Sequence, residues 1–332
     1  MLFFCKVTIF ILIYLYLFCY LLINCYFCKK KKFMQKYNIV IPTVYRDYSF
    51  LKKSISYIYK YLDPVKVYII TDEKMSKFIP RSIISNSKCE VLFEDEIVSG
   101  LTFKTIQQIF KEQERTHTKV GWYFQQFLKM GFSHSQYCTT DYYLSWDADT
   151  IPLKRIDLFD KDGHPYFTMK SEYHKPYFDT MERVLSMGKT NPCSYIAEHM
   201  MFNKTIVCEL IGKIMESDVI GDTWFEKILN SLAPEETSPF SFSEFETYGT
   251  YCYTIHPQLY KERHLSGFRK AGLIQGRFVS DQILENLAED VDVASFEIYD
   301  RPPFPWGIIC HYYEKFNQYR ELFLRKMNRN ER

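Results

Sequence analysis

The residue pattern predicts an α/β chain built on a mostly parallel central sheet. Three observations carry this. Tyr37–Pro42 is a short apolar run ending in Pro, as a buried strand does. Val65–Thr71 and Cys89–Phe93 repeat the pattern, with helically spaced apolar positions 51, 55, 58, 59 and 62 between the first two runs. Strand, helix and strand within about 35 residues make a βαβ unit, which demands parallel strands.

Further along, Phe103–Glu114 and Trp122–Met130 read as helices, the second stopped by Gly131. Tyr142–Trp146 is another buried strand, and it runs directly into Asp147-Ala148-Asp149. Pro165–Lys170 and Ile196–Phe202 are candidate strands. Thr205–Glu216, Asp222–Leu232, Asp281–Glu289 and Glu314–Lys326 are candidate helices. No repeat or long linker interrupts the series, and Pro234–Pro239 is its most loop-like stretch. One continuous domain over residues 35–332 is expected, preceded by a separate segment, residues 1–34.

That segment holds five Lys and no acid, and Val7–Cys28 is free of charge and mostly Ile, Leu, Phe and Tyr. At about 1.5 Å per residue it is long enough for a hydrocarbon core of about 30 Å. No small-residue cleavage site follows it. The expectation is therefore an uncleaved, single-pass membrane anchor with a Lys-rich flank. Lys29 to Lys32 favour a cytoplasmic C-terminal domain, and a lumenal type II arrangement is the alternative. A start at Met34 would remove the leader altogether.

The 42 basic and 40 acidic residues give a net charge of +2. No global basic field exists, which speaks against a nucleic-acid partner. With 47% hydrophobic residues, 12 Gly and 13 Pro, the chain is neither disordered nor fibrous. The six Cys beyond the leader show no CxxC pairing, so a zinc site is not expected, and buried free thiols suit them as well as disulfides. No P-loop, GxSxG, HExxH or kinase signature is present.

The sharpest chemical signal is Asp147 and Asp149 at the carboxyl end of a buried strand, where open α/β sheets place their ligands. In extended backbone, residues i and i+2 point the same way. Two such carboxylates would share Mn²⁺ or Mg²⁺, whose open positions suit phosphate oxygens. The plain alternative is a turn in which an Asp caps the next segment. Gln125, Gln126 and Lys129 fall within one helical turn, 125 and 129 on one face, and could hold phosphate and ribose oxygens or form a solvated face. Ser243-Glu244-Phe245-Glu246 has the form of a helix capping box, which would occupy Glu246 and leave Glu244 freer as a general base. Thr43, Arg46 and Asp47 after the first strand, Asp72 after the second, and Trp146 beside the acids lie at strand ends that would meet a nucleotide. Helix caps and exposed charge are the alternative for these.

Three segments together carry a resemblance: Gly121-Trp-Tyr-Phe-Gln-Gln-Phe-Leu-Lys129, Tyr143-Leu-Ser-Trp-Asp-Ala-Asp-Thr150 and Ser243-Glu-Phe-Glu-Thr-Tyr-Gly249. The chain resembles, over roughly residues 37 to 315, a DxD-containing family of largely unassigned function grouped with the GT-A-fold glycosyltransferases. The resemblance implies a Rossmann-like sheet, a nucleotide-sugar donor and a divalent metal on Asp147 and Asp149. It makes His311 a third metal ligand, with His256 and His199 competing for that place. The function it implies is sugar transfer to an acceptor hydroxyl on a glycan, lipid or protein. Were the reaction inverting, which is slightly favoured, Glu244 or Glu246 would be the base; a retaining reaction is the alternative. A nucleotidyltransferase, a metal phosphoesterase and a non-catalytic membrane-tethered binding protein are the other readings of the same acids.

Overall fold

The computed structural model describes residues 35–330 except 45, 46, 80, 236, 277, 278, 298, 299 and 301. Its centre is a five-stranded sheet in the order β3-β2-β1-β4-β7. These strands are β1 (Tyr37–Pro42), β2 (Val67–Thr71), β3 (Cys89–Phe93), β4 (Tyr142–Trp146) and β7 (His199–Asn203). All pairings are parallel except β4 with β7.

The apolar runs are continuous because both faces of the sheet are covered. Val40, Tyr68, Ile70 and Tyr143 point into one core, whereas Ile39, Ile41, Val67, Ile69, Leu144 and Trp146 point into the other. This is the period of two expected of a pleated strand. Helix α1 (Tyr48–Tyr61) covers the second face with Leu51, Ile55 and Ile58. Helices α2 (Phe103–Glu112) and α3 (Val120–Gly131) cover the first face. On the same side lie α4 (Lys175–Leu185), α5 (Lys204–Met215), α6 (Trp224–Asn230) and α7 (Glu244–Ile255). Phe127 of α3 anchors that layer, with Trp224, Phe225 and Phe242 ringed around it.

A small sheet in the order β5-β10-β9 flanks α1. It comprises β5 (Thr150–Pro152), β9 (Gly267–Phe268) and β10 (Val293–Ser295). Phe50 of α1 stacks on Phe296 at 4.9 Å, and Ser54 donates to the Thr150 carbonyl at 2.7 Å. Strands β6 (Tyr166–Thr168) and β8 (Lys261–Arg263) pair in parallel at the periphery. The last helices are α8 (Ala271–Gln275), α9 (Asp281–Asp290) and α10 (Trp306–Asn330).

The α/β fold with a mostly parallel sheet is as the residue pattern predicts. Strands β5, β8, β9 and β10 and helices α4 and α8 were not anticipated as elements, whereas the capping-box pattern marks the start of α7. The expected helix over 314–326 is part of the longer α10. The six cysteines among the described residues are free thiols, four of them buried.

The membrane assignment is corrected. No helix among the described residues is long and apolar enough to cross a membrane. The run Val7–Cys28, on which the single-pass expectation rested, lies outside the described residues, as does the whole of residues 1–34.

Gly249 lies where α7 passes closest to the Tyr195 ring, and a methyl group there would collide with ring carbons. We expect Gly249→Ala to lower stability by about 1–3 kcal/mol, the usual cost of overpacking. Urea unfolding checks this, and an unchanged midpoint would mean that the ring gives way freely.

Candidate active site

The chain steps outward from β1 to β2 to β3, then returns to lay β4 on the other side of β1. Such a reversal opens a crevice at the carboxyl ends of the two central strands. Thr43 follows β1 there, and Asp147 follows β4. Residues 143, 145 and 147 share one side of β4, so Asp147 leaves the sheet on the face covered by α3 and α7.

Lys129 near the end of α3 meets it. Its Nζ lies 2.9 Å from Asp147 Oδ1 and 2.8 Å from Glu244 Oε1, and 4.4 Å from the centre of the Phe245 ring. Lys129 and Glu244 are 3% and 4% exposed, so this is a buried ion cluster and not a surface pair. Burial alone would push the ammonium pKa down. The charges of Asp147 and Glu244 outweigh that and hold it above the ordinary lysine range. Burial pushes the Glu244 carboxyl up, and Lys129 pulls it only part of the way back. One cation between two carboxylates leaves the cluster one negative charge in excess.

Gln126, one turn earlier on α3, fixes the start of α7. Its Oε1 accepts from the Glu244 amide at 3.0 Å, while its Nε2 donates to the Trp122 carbonyl at 3.0 Å. Ser243 caps the same helix by accepting from the Glu246 amide at 3.3 Å. The expected capping box is half-formed, because the Glu246 carboxylate does not return to the cap. It accepts from Ser194 Oγ at 2.7 Å and from the Tyr195 amide at 3.0 Å, with Lys189 3.9 Å away. Burial pushes its pKa up, and these donors partly offset the rise.

Asp147 and Asp149 do not lie on extended backbone. Residues 147–150 form a tight turn closed by the Thr150 amide on the Asp147 carbonyl at 3.0 Å. The argument from strand periodicity therefore stops at Asp147. The turn is held from two sides. Trp146 donates its indole N–H to the Thr150 carbonyl at 2.9 Å, and the Phe296 amide donates to the Asp149 carbonyl at 3.0 Å. Trp146 itself is fully buried and stacks on His199 at 5.0 Å. It supports the turn from inside, with no face for a nucleotide. The Asp147 side chain is about one-third exposed and Asp149 is half-buried.

The other expected positions are dispersed. Thr43 is buried, and its Oγ has no partner among the described residues. Asp47 stands at the N-cap position of α1, and Arg46 lies outside the described residues. Asp72 caps the short helix 73–76 by accepting from the Met75 amide at 2.7 Å. Gln125 is half-buried, and it is Gln126 that joins Lys129 in holding Glu244. His311 is exposed on α10. His256 pairs with Glu209 at 3.0 Å, and His199 is buried.

Residues beyond the expected set surround the acid turn. The Asp147 amide donates to the Glu198 carbonyl at 3.1 Å, because antiparallel β7 begins beside the end of β4. The buried Glu198 carboxylate lies 3.3 Å from Arg269 Nε and 3.6 Å from Lys170 Nζ. Arg269 also pairs with Glu172. Glu297 follows Phe296, and its carboxyl is pushed up by burial and by the charges of Asp300, Asp147 and Glu198, against the pull of Arg269. The one sequence sign of Glu198 is an acid directly before an apolar run. That sign has meaning only once β7 is known to be antiparallel.

The donor set at the end of β4 is all oxygen, partly exposed and negatively charged. Oxygen donors of this kind suit a hard divalent cation such as Mg²⁺ or Mn²⁺, and the second oxygen of Asp147 is the one that Lys129 leaves. Among the described residues, the trio whose ligand atoms lie within 4.8 Å of one another is Asp160, Asp162 and His164, not Asp147, Asp149 and His311. Asp160 there accepts from the amides of Asp162 and His164, both at 2.8 Å, so the grouping is that of a hydrogen-bonded surface turn.

Residues 34–273 match the family of unknown function DUF6492. This chain belongs to that family. All three motifs fall within the matched span. No curated protein matches the chain. Among solved structures, it is similar to mouse xyloside xylosyltransferase 1 in its apo form, at 9% identity and a TM-score of 0.39, over 81% of this chain and 100% of that one. It is also similar to the galactosyltransferase LgtC in complex with donor and acceptor sugar analogs, at 11% identity and 0.38, over 78% and 86%. The WbbM bifunctional glycosyltransferase gives 11% and 0.38, over 80% of this chain and 46% of its own.

Two outcomes follow from the buried charges. Lys129→Met is expected to cost about 3–5 kcal/mol in urea unfolding, since it strands Glu244 in the interior. Adding Glu244→Gln should recover part of that loss; equal midpoints for the single and double variants would count against the coupling. His199 is held neutral, its pKa pushed from 6.5 to about 3 by burial, with Arg263 and Lys170 adding to the effect. The unfolded chain takes up that proton first. Stability is thus lost as pH falls between those two values, by at most about 1.4 kcal/mol per pH unit. Urea midpoints across this range should fall less steeply for His199→Phe.

Proposed function

We propose that this chain is a metal-dependent glycosyltransferase that moves a sugar from a nucleoside diphosphate donor to an acceptor hydroxyl. One observation carries the reading. Three motif segments, carrying Lys129, Asp147 and Glu244, interlock through contacts of 2.9 and 2.8 Å at the sheet's reversal point. The three-motif resemblance to a DxD family grouped with GT-A enzymes supports it from the sequence side.

In this reading Asp147 and Asp149 hold Mn²⁺ or Mg²⁺. When bound there, such an ion would supply charge compensation for a diphosphate leaving group. The remaining work belongs to the chain. Lys129 fixes the direction of the Asp147 side chain. Gln126 and Ser243 set the first turn of α7, so that Glu244 meets Lys129. For the base that would deprotonate the acceptor in an inverting transfer, Glu244 stands ahead of Glu246. Glu244 shares its cation with Asp147, whereas Glu246 is engaged by Ser194 and Tyr195. The Thr43 hydroxyl at the end of β1, without a partner among the described residues, is the nearest of the remaining expected positions to a donor role. The acceptor would carry its hydroxyl on a glycan, a lipid or a protein.

Incubation with Mn²⁺ and a panel of nucleotide sugars should release nucleoside diphosphate. Asp149→Asn should slow this by roughly a hundredfold or more, the several kcal/mol that such an ion supplies, without an early melt. Release of pyrophosphate or phosphate would replace the reading with nucleotidyl transfer or phosphoester hydrolysis. No turnover together with no metal-dependent thermal shift would leave a binding protein.

A further inference from the structure

Helix α10 is joined to the body at its first turn. Cys310 is buried there, packed against Gly276 just past the end of α8. Beyond it, Ile309, Tyr312, Phe316, Tyr319, Phe323 and Met327 recur at intervals of three and four residues. At 3.6 residues per turn they fall within an arc of about 80°. All six are solvent-exposed, Tyr312, Phe316, Tyr319 and Phe323 each by more than 60%. A continuous aromatic stripe of this length open to water marks a surface that something covers.

The charge pattern selects the occupant. Lys315 and Arg320 are exposed and fall at opposite edges of the arc. Over residues 306–330 the sequence has five Lys and Arg against two Glu. In a pair of such helices from two copies, the flanking cations would face each other and repel. Against an anionic lipid surface, the same cations meet phosphates at the level where Tyr and Trp rings settle. The helix is too polar to cross a bilayer.

We propose that α10 is an interfacial helix, lying flat on an anionic lipid surface with its aromatic stripe in the headgroup region. It does not depend on the proposed reaction or on the expected N-terminal anchor. It brings the enzyme body to a surface without crossing it, and α10 lies beyond the matched span of the family.

Trp306 provides the readout. It is exposed at the start of α10, whereas Trp146 and Trp224 are buried and Trp122 is partly buried. Vesicles of brominated phosphatidylcholine with an equimolar share of phosphatidylserine should quench the fluorescence of the full chain. The quenching should vanish in Trp306→Phe and in the double variant Phe316→Ser, Phe323→Ser, whose exposed positions leave the fold intact. Comparison within the same full chain cancels any contribution of other segments. Replacing Lys315 and Arg320 by Gln should weaken the quenching isotherm roughly thirtyfold, from about 1 kcal/mol per cation. Trp306 fluorescence indifferent to the vesicles would overturn the proposal. So would equal quenching without phosphatidylserine, or a concentration-dependent dimer that the Phe316→Ser, Phe323→Ser variant abolishes.

Discussion

The candidate site depends on one buried ammonium. Lys129 stands where three separately encoded segments end, and each partner needs it for a different reason. Glu244 needs it to offset the burial that pushes its carboxyl pKa up. Asp147 needs it for direction, since its side chain is the most exposed of the three. The lysine in turn could not stay charged at that depth without both. A cluster of this kind specifies geometry more than it adds stability. Its members are satisfied only when α3, α7 and the end of β4 are all in register.

The sheet makes that register possible. Because β1, β2 and β4 are covered on both faces, their side chains sort strictly into two cores, and a slip by one residue would exchange them. Asp147 therefore leaves β4 on the α3 side. Trp146, one position earlier, turns into the opposite core and locks the following turn with its indole N–H. The strand decides which acid faces the lysine, and the tryptophan decides how the chain continues.

Much of this was legible in the residues. The parallel strands are visible as short, saturated apolar runs, and Asp147, Lys129 and Glu244 stand out because each motif places a charge beside aromatic residues. What could not be read depended on partners distant in sequence. Strand β10 is three residues long and exists only because β5 and β9 flank it. Glu198 joins the site because β7 runs antiparallel. The pairing of Asp147 with Asp149 looked like strand periodicity, but the backbone bends between them. Asp72 and Trp146 had the right positions for ligand contact, and local needs claimed both: one a helix cap, the other a core ring. His311 followed an apolar run that turned out to be a helix leading away into solvent. The apolar leader suggested a membrane span that no described helix provides.

The turn that carries both acids is completed by Phe296, about 150 residues downstream of it. Local sequence alone cannot close that loop, and its second support arrives only after nearly the whole body has been synthesised. Without residue 296 the turn would keep only the support of Trp146. In the proposed reading, the two acids would meet a cation in this geometry only with both supports in place.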